Sequence, residues 1–272
     1  GEILPTDKLH LGADGETMTT IVATGATYLD PSDTTGRTAK YLLDGDVTDE
    51  LGAYDGTATD ITYTPSRFGQ AAVFNGNSSV IEIPTTAFNV QTFTISGFIK
   101  LNSLGVSHNI VSNFEGNGES NPDTGWTFRI LNTNILNAYF NTTNISGATV
   151  LEADREYHVA LTVDEIGNSI KLYLDGVEEA NSAHIVTAYS VNHDRLRVGV
   201  LGDLAIGFLN GQIDQVEVFP TALTASEVQD LYNTGKTKLP HNQTFTPTFA
   251  CKEDNVNLDI SFDGGTNYNS LV

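Results

Sequence analysis

Acidic residues stand in two short apolar stretches near the two ends of one long β-rich region. The first is Tyr41-Leu-Leu-Asp-Gly-Asp-Val-Thr-Asp-Glu-Leu-Gly52 and the second is Asn210-Gly-Gln-Ile-Asp-Gln-Val-Glu-Val-Phe219. Strict alternation puts Asp214 on one face with Val216 and Val218, on a strand expected to be largely buried. A buried carboxylate without a partner is strongly unfavourable, so Asp214 calls for backbone N–H donors and water, a cationic side chain, or a metal ion. Two ribbons that meet and bring their carboxylates together point to a metal at the seam of a closed β-sandwich.

A second acidic pair lies in Glu152-Ala-Asp-Arg-Glu156. Its alternation matches the paired carboxylates of a retaining glycosidase, which stand about 5–5.5 Å apart. Arg155, however, occupies a position where an inward apolar residue would be needed, and the apolar strand begins only at Tyr157. The segment therefore reads as a solvated turn. The histidines (His10, His108, His158, His184, His193 and His241) show no spacing that would gather them around zinc, and surface or hydrogen-bonded roles suit them. Nucleophile elbow, phosphate loop and dinucleotide fingerprint are all missing from the sequence.

The elements that would position these groups are mostly strands. Phe93, Ile95, Ile99 and Leu101 alternate on one face, as do Tyr157, Val159, Leu161 and Val163, with His158 and Thr162 opposite. Ile170, Leu172 and Leu174 follow after the hairpin loop Asp164-Glu-Ile-Gly-Asn-Ser169, and Asp175-Gly176 supplies the next tight turn. Period two at short spacing, punctuated by Gly and Asn, predicts an antiparallel sandwich. One helix is expected after Thr224-Ala-Ser-Glu227, a capping box. Leu223, Val228, Leu231 and Tyr232 would form its buried stripe and Gly235 would end it.

The chain has 272 residues, enough for one large sandwich with appendages or for two modest domains. It carries 13 Lys and Arg against 34 Asp and Glu, a net charge of −21. Such a surface repels phosphate backbones and anionic lipid, which argues against nucleic acid and membrane-surface partners. No apolar run is long enough to insert in a membrane. Cys251 is the one cysteine, so an intrachain disulfide is excluded. Gly1-Glu-Ile-Leu-Pro5 lacks the features of a signal peptide, so export would need a leader already removed or another route. Residues 1–36, rich in Thr, Gly and Asp, read as an arm or linker with one short strand near Asp7–Gly12. Residues 37–236 form the sandwich. Residues 237–272 read as a small β segment, an incomplete module that pairs with a neighbouring chain or continues in a longer parent.

Several blocks resemble one family. Leu43-Asp-Gly-Asp-Val-Thr-Asp49, Tyr63-Thr-Pro-Ser-Arg-Phe-Gly-Gln-Ala-Ala-Val-Phe-Asn-Gly76, Ser79-Val-Ile-Glu-Ile-Pro84 and Tyr157-His-Val-Ala160 are similar to the laminin G-like, concanavalin A-like jelly-roll family. So are Leu209–Phe219 and Ala222–Tyr232, and the blocks occur in family order. The resemblance implies an all-β jelly-roll sandwich of two antiparallel sheets with one short C-terminal helix. It also implies a calcium ion held between the first and last strands, with Asp214 a ligand, Asp44 and Asn75 or Asn77 as partners, and Asp49 as a further candidate. For ligand contact it directs attention to the rim loops and the concave sheet. The longest polar loop runs from Asn113 to Gly125, and Trp126 follows it directly. Asn113, Glu115 and Asp123 would give polar contacts there, and Trp126 a stacking platform, although its alternation with Phe128 equally suits a core position. The implied function is a non-enzymatic binding or structural module, extracellular or displayed on a virion such as a phage appendage or on a cell surface. It would recognise glycans or neighbouring protein subunits and could assemble as a homo-oligomer. The alternative is an accessory carbohydrate-binding domain of a secreted polysaccharide-degrading enzyme.

Overall fold

A computed structural model describes residues 9–12, 36–84, 92–115, 124–140, 143–183, 195–202, 206–237, 257–260 and 269–270. In chain order the first strands are β1 (Leu9–Gly12), β2 (Ala39–Tyr41), β3 (Thr57–Thr59), β4 (Thr62–Ser66), β5 (Gly69–Asn75) and β6 (Val80–Pro84). Next come β7 (Phe93–Leu101), β8 (His108–Glu115), β9 (Thr124–Ile130), β10 (Ile135–Phe140), β11 (Thr143–Val150) and β12 (Glu156–Asp164). The last are β13 (Ser169–Leu174), β14 (Val177–Ala183), β15 (Arg195–Val198), β16 (Asn210–Phe219), helix α1 (Ala225–Thr237), β17 (Asn257–Ile260) and β18 (Asn269–Ser270).

Two antiparallel sheets stack as a jelly-roll sandwich. One is seven-stranded, in the order β11-β10-β9-β8-β15-β6-β3. The other is eight-stranded, in the order β14-β13-β12-β7-β16-β5-β4, with β2 also paired to β16. The apolar alternation read from the sequence builds the layer between them. Phe93, Ile95, Ile99, Tyr157, Val159 and Leu161 of one sheet meet Ile81, Val111, Trp126, Phe128 and Leu196 of the other in one buried cluster. Along one side the sheets are joined edge to edge by a carboxylate: Glu179 of β14 accepts from the Ala148 and Thr149 amides of β11 at 3.0 and 2.9 Å. The turn after β13 is the expected tight one, with Asp175 and Gly176 at φ 49 and 78.

The first and last ribbons of the sandwich lie side by side, as the sequence implied. Val216, Glu217 and Val218 pair with Tyr41, Lys40 and Ala39, and Arg37 reaches Glu217 at 3.0 Å. One register differs from expectation. β16 is bulged between Asp214 and Glu217, with Gln215 at φ 52. The extra residue brings both Ile213 and Val216 into the core and turns Asp214 away from it, to the outer face of the eight-stranded sheet. The bulge falls where β5, paired to Asn210–Ile213, gives way to β2 along the same side of β16.

Helix α1 covers part of that outer face. Its capping box is formed: the Glu227 carboxylate accepts from the Thr224 amide at 2.7 Å, and the Thr224 hydroxyl accepts from the Glu227 amide at 3.3 Å. Val228 is buried on Ala160 and Tyr173. Gly235 does not end the helix, which runs on to Thr237. It is the point of closest approach, where a Cβ would overlap the Phe98 ring. In the flanks, the short strand expected near Asp7–Gly12 is present as β1, and its pairing partner lies in the same chain. β1 pairs antiparallel with β17, and β17 with β18, so the two flanks form one three-stranded sheet within the same chain. The stretch Thr244–Phe249 lies outside the described residues.

Candidate functional site

Asp214 sits in a row across three strands, Asp214–Phe98–His158, on the face that α1 covers. It is 4% exposed. Its Oδ2 accepts from the Ser66 hydroxyl at 2.6 Å, and its Oδ1 has no hydrogen-bond partner. Burial pushes its pKa up to about 7, with bonds from Ser66 and Gln215 pulling down and the nearby Glu156 charge pushing further up. His158, on the far side of the Phe98 ring at 5.0 Å, is equally buried, and its Nδ1 has no partner. Burial holds its pKa down at about 4. A cavity of about 30 Å³ lies beside it, lined by Phe68, Phe98, His158, Gln215, Leu231 and Gly235 among others, with room for about one water.

The residues implied as calcium ligands do not converge. Asn75 pairs with Asn210, four positions before Asp214, which at about 3.3 Å per residue is roughly 13 Å along the strand. There its Oδ1 accepts from the Asn77, Ser78 and Ser79 amides at 2.8, 2.8 and 3.2 Å, closing the turn between β5 and β6. Asn77 contributes to that turn through its backbone. Asp49 is 2% exposed, and both its oxygens are taken by backbone amides, those of Lys40 and Leu51 on Oδ1 and of Ala53 and Tyr54 on Oδ2. It shapes the loop after β2. Asp44 is exposed and lies against Gly69, where a Cβ would come within 2.6 Å of its carboxylate. Among the described residues no three His, Cys, Asp or Glu side chains come together to hold a metal ion. Calcium needs about six to eight oxygens, so these five residues do not fit it. The bulge is one reason: it removes Asp214 from the seam that strict alternation gave it.

The ligand-contact residues also need correction. Trp126 is 3% exposed and stacks in the core between Phe93 and Phe140, at 5.0 and 6.0 Å. It offers no platform to a sugar. Asn113 pairs with Trp126 across β8 and β9, so it shares the inward face and is 6% exposed. Glu115 ends β8, and nothing is described of its side chain; Asp123 lies outside the described residues. Glu152 is exposed in the turn, while Glu156 opens β12 in an ion pair with Arg67 at 2.6 Å.

A polar surface that the sequence reading did not single out lies on the outer face of the seven-stranded sheet. Because Phe128, Ala138, Leu196 and Ile81 face the core, their strand neighbours face out. Register aligns Glu82, Arg197, Ser112, Thr127, Tyr139 and Asn144 in one row across six strands. Asn109, Arg129, Asn137 and Ser146 form the next. One end is closed over by the loop after β15: Asn109 Nδ2 donates to the Gly207 carbonyl at 2.8 Å, and Ser112 Oγ to that of Val200 at 2.9 Å. The other end is open, with Asn144 and Ser146 exposed and Arg129 and Tyr139 half-buried. Asn137 is fully buried and organises it. Its Oδ1 accepts from Arg129 Nε at 2.8 Å, and its Nδ2 is within bonding distance of Asn144 Oδ1, the Ile145 carbonyl and Ser146 Oγ. The Arg129 guanidinium carbon stands 5.9 Å from the centre of the Tyr139 ring. Burial draws the Arg129 pKa somewhat down, and the Tyr139 phenol opposes this. In sequence this site is visible only as polar residues alternating with Trp126, Phe128 and Ile130, the pattern of any solvated sheet face.

A family model described as the concanavalin A-like lectin/glucanases superfamily matches residues 75–229. Domain 4 of AbnA, a GH43 extracellular arabinanase from Geobacillus stearothermophilus solved with arabinotriose, superposes with a TM-score of 0.56 at 22% identity, covering 72% of this chain and 98% of that one. The binding domain of Paraclostridial Mosquitocidal Protein 1 does so with a TM-score of 0.57 at 18% identity, over 72% of this chain and 51% of that one. Trypanosoma rangeli sialidase gives 0.59 at 16% identity, over 79% of this chain and 36% of the enzyme. At such identities the likeness is one of fold. No curated protein sequence matches the chain.

Proposed function

The chain belongs to the concanavalin A-like lectin/glucanase superfamily, and from that premise we propose that it is a non-enzymatic glycan-binding module whose ligand lies on the outer face of the seven-stranded sheet. The observation that carries this reading is the open polar patch of Arg129, Tyr139, Asn144 and Ser146, held in place by the buried amide of Asn137. Sugar sites combine an aromatic surface with a few fixed polar groups, and Tyr139 and its neighbours supply both. Hydrolysis would need two facing carboxylates. In the rows described on this face the acid is Glu82, and it is tied to Arg197 at 3.1 Å.

The setting favoured here is extracellular, as an accessory domain beside a catalytic or surface-anchored partner. The near-complete coverage of an arabinanase domain supports it. The flanking segments 1–36 and 237–272 would join the module to that partner, to a virion or to a cell surface. Binding of the full chain to a glycan microarray tests the reading. Binding to one glycan class that is weakened roughly tenfold or more in Tyr139→Ala and retained in Glu152→Gln is the expected result. Release of reducing ends from a bound polysaccharide, or unaltered binding by Tyr139→Ala, would overturn it.

A further inference from the structure

Positive charge is scarce on this chain of net charge −21, and most of its arginines are committed to carboxylates. Arg37 pairs with Glu217, Arg67 with Glu156, Arg197 with Glu82, and Arg155 lies 3.8 Å from both Glu152 and Asp175. Among the arginines whose side chains are described, Arg129 is the one with no carboxylate partner. It is also half-buried, where an uncompensated cation is unfavourable. Its Nε is already engaged by Asn137 at 2.8 Å, and the Tyr139 ring flanks its guanidinium at 5.9 Å. These contacts set the plane of the guanidinium and leave the terminal nitrogens to meet a ligand at the open end of the patch.

A planar guanidinium fork fixed at Nε matches a planar carboxylate through two parallel N–H···O bonds. Resting on the glycan-binding reading, we propose that Arg129 anchors the carboxylate of an acidic sugar, with Tyr139 packing against the sugar ring. The ligand carries this charge singly, as a terminal acidic residue on an otherwise neutral glycan. A polyanionic polysaccharide would meet the repulsion of the whole acidic surface, which one guanidinium does not offset. Asn137 is a positioning residue: it holds Arg129 and does not itself face the ligand.

The test uses a microarray of neutral oligosaccharides and the same oligosaccharides capped with a hexuronate or with a sialate, followed by calorimetry on the best pair at physiological ionic strength. The parent chain should bind one acid-capped series about tenfold or more tighter than its neutral counterpart, and which cap is preferred distinguishes the two sources of the carboxylate. Arg129→Gln should erase that preference, Arg129→Lys, which keeps the charge without the fork, should restore only part of it, and Glu152→Gln, away from the patch, should bind both series as the parent does. A parent that binds neutral and acid-capped glycans equally overturns this inference and leaves the glycan reading standing. A parent that binds neither removes both. Retained acid preference in Arg129→Gln, with a melting temperature matching the parent, also sinks the assignment.

Discussion

Asp214 and His158 are buried on either side of the same phenylalanine, and they couple stability to pH in opposite senses. Asp214 keeps its proton in the folded chain up to about 7 and releases it near 3.8 when unfolded. Between those values the native state binds more protons, so the contribution of Asp214 is fully present below 3.8 and is lost as pH rises to about 7. His158 is neutral in the folded chain down to about 4 but takes a proton near 6.5 when unfolded, so its contribution is lost as pH falls through that window. The two slopes oppose each other across most of the range, so the parent should show little net effect from this pair. Asp214→Asn preserves the shape and the bond from Ser66 while removing one slope. Its stability relative to the parent should therefore increase between pH 4 and pH 8, by an amount on the order of a few kcal/mol, in urea denaturation at several pH values. A difference between the two proteins that does not change with pH would refute the assignment. Sequence alone showed that Asp214 needed a partner. It could not show the face, because one bulged residue reverses every later inference from alternation. Trp126 illustrates the same boundary from the other side, since its alternation with Phe128 was the better guide and its place after a polar loop the worse one.

The helix shows how far an element can be read before its packing is known. The capping box at Thr224 and Glu227 is a local device, and it is formed as its four-residue signature implies. Gly235 carries the same local signature as a helix stop, but its role is tertiary. The helix crosses the outer face of the eight-stranded sheet there, against Phe98, and only a residue without Cβ allows that approach. Two effects compete in Gly235→Ala. Alanine improves helix propensity by about 1 kcal/mol, whereas a methyl group forced into a packed ring contact destabilises by about 1–3 kcal/mol and must lift the last turn. The contact should win, giving a lower melting temperature by calorimetry. A higher melting temperature would mean that α1 does not seat on Phe98. The strands were more legible than the helix end, because β7, β12 and β13 alternate without interruption and have their cores where period two puts them. The outward residues of those strands were the less obvious part. His158 and Thr162 face away from the core yet are 2% and 3% exposed, since the other face is itself covered.

The whole molecule divides according to where its buried apolar surface lies. Among the described residues, the two buried clusters fall between Ala39 and Val228. Among the described residues the flanks contribute strands β1, β17 and β18, which pair with each other and with no strand of the sandwich. The sequence separated them into an arm and a trailing segment because pairing between chain ends leaves no periodic mark in either one. Their joining makes the sandwich an insertion between two halves of one small sheet. A chain cut to residues 36–237 should therefore keep one cooperative thermal transition within a few degrees of the parent, because hydrophobic burial dominates folding stability and almost none of the described core is removed. It should also keep whatever glycan binding the full chain shows, since Arg129, Asn137 and Tyr139 all lie inside it. A broadened or strongly lowered transition in the cut chain would show that the three-stranded sheet braces the sandwich, and the division drawn here between a binding body and its joining flanks would fail.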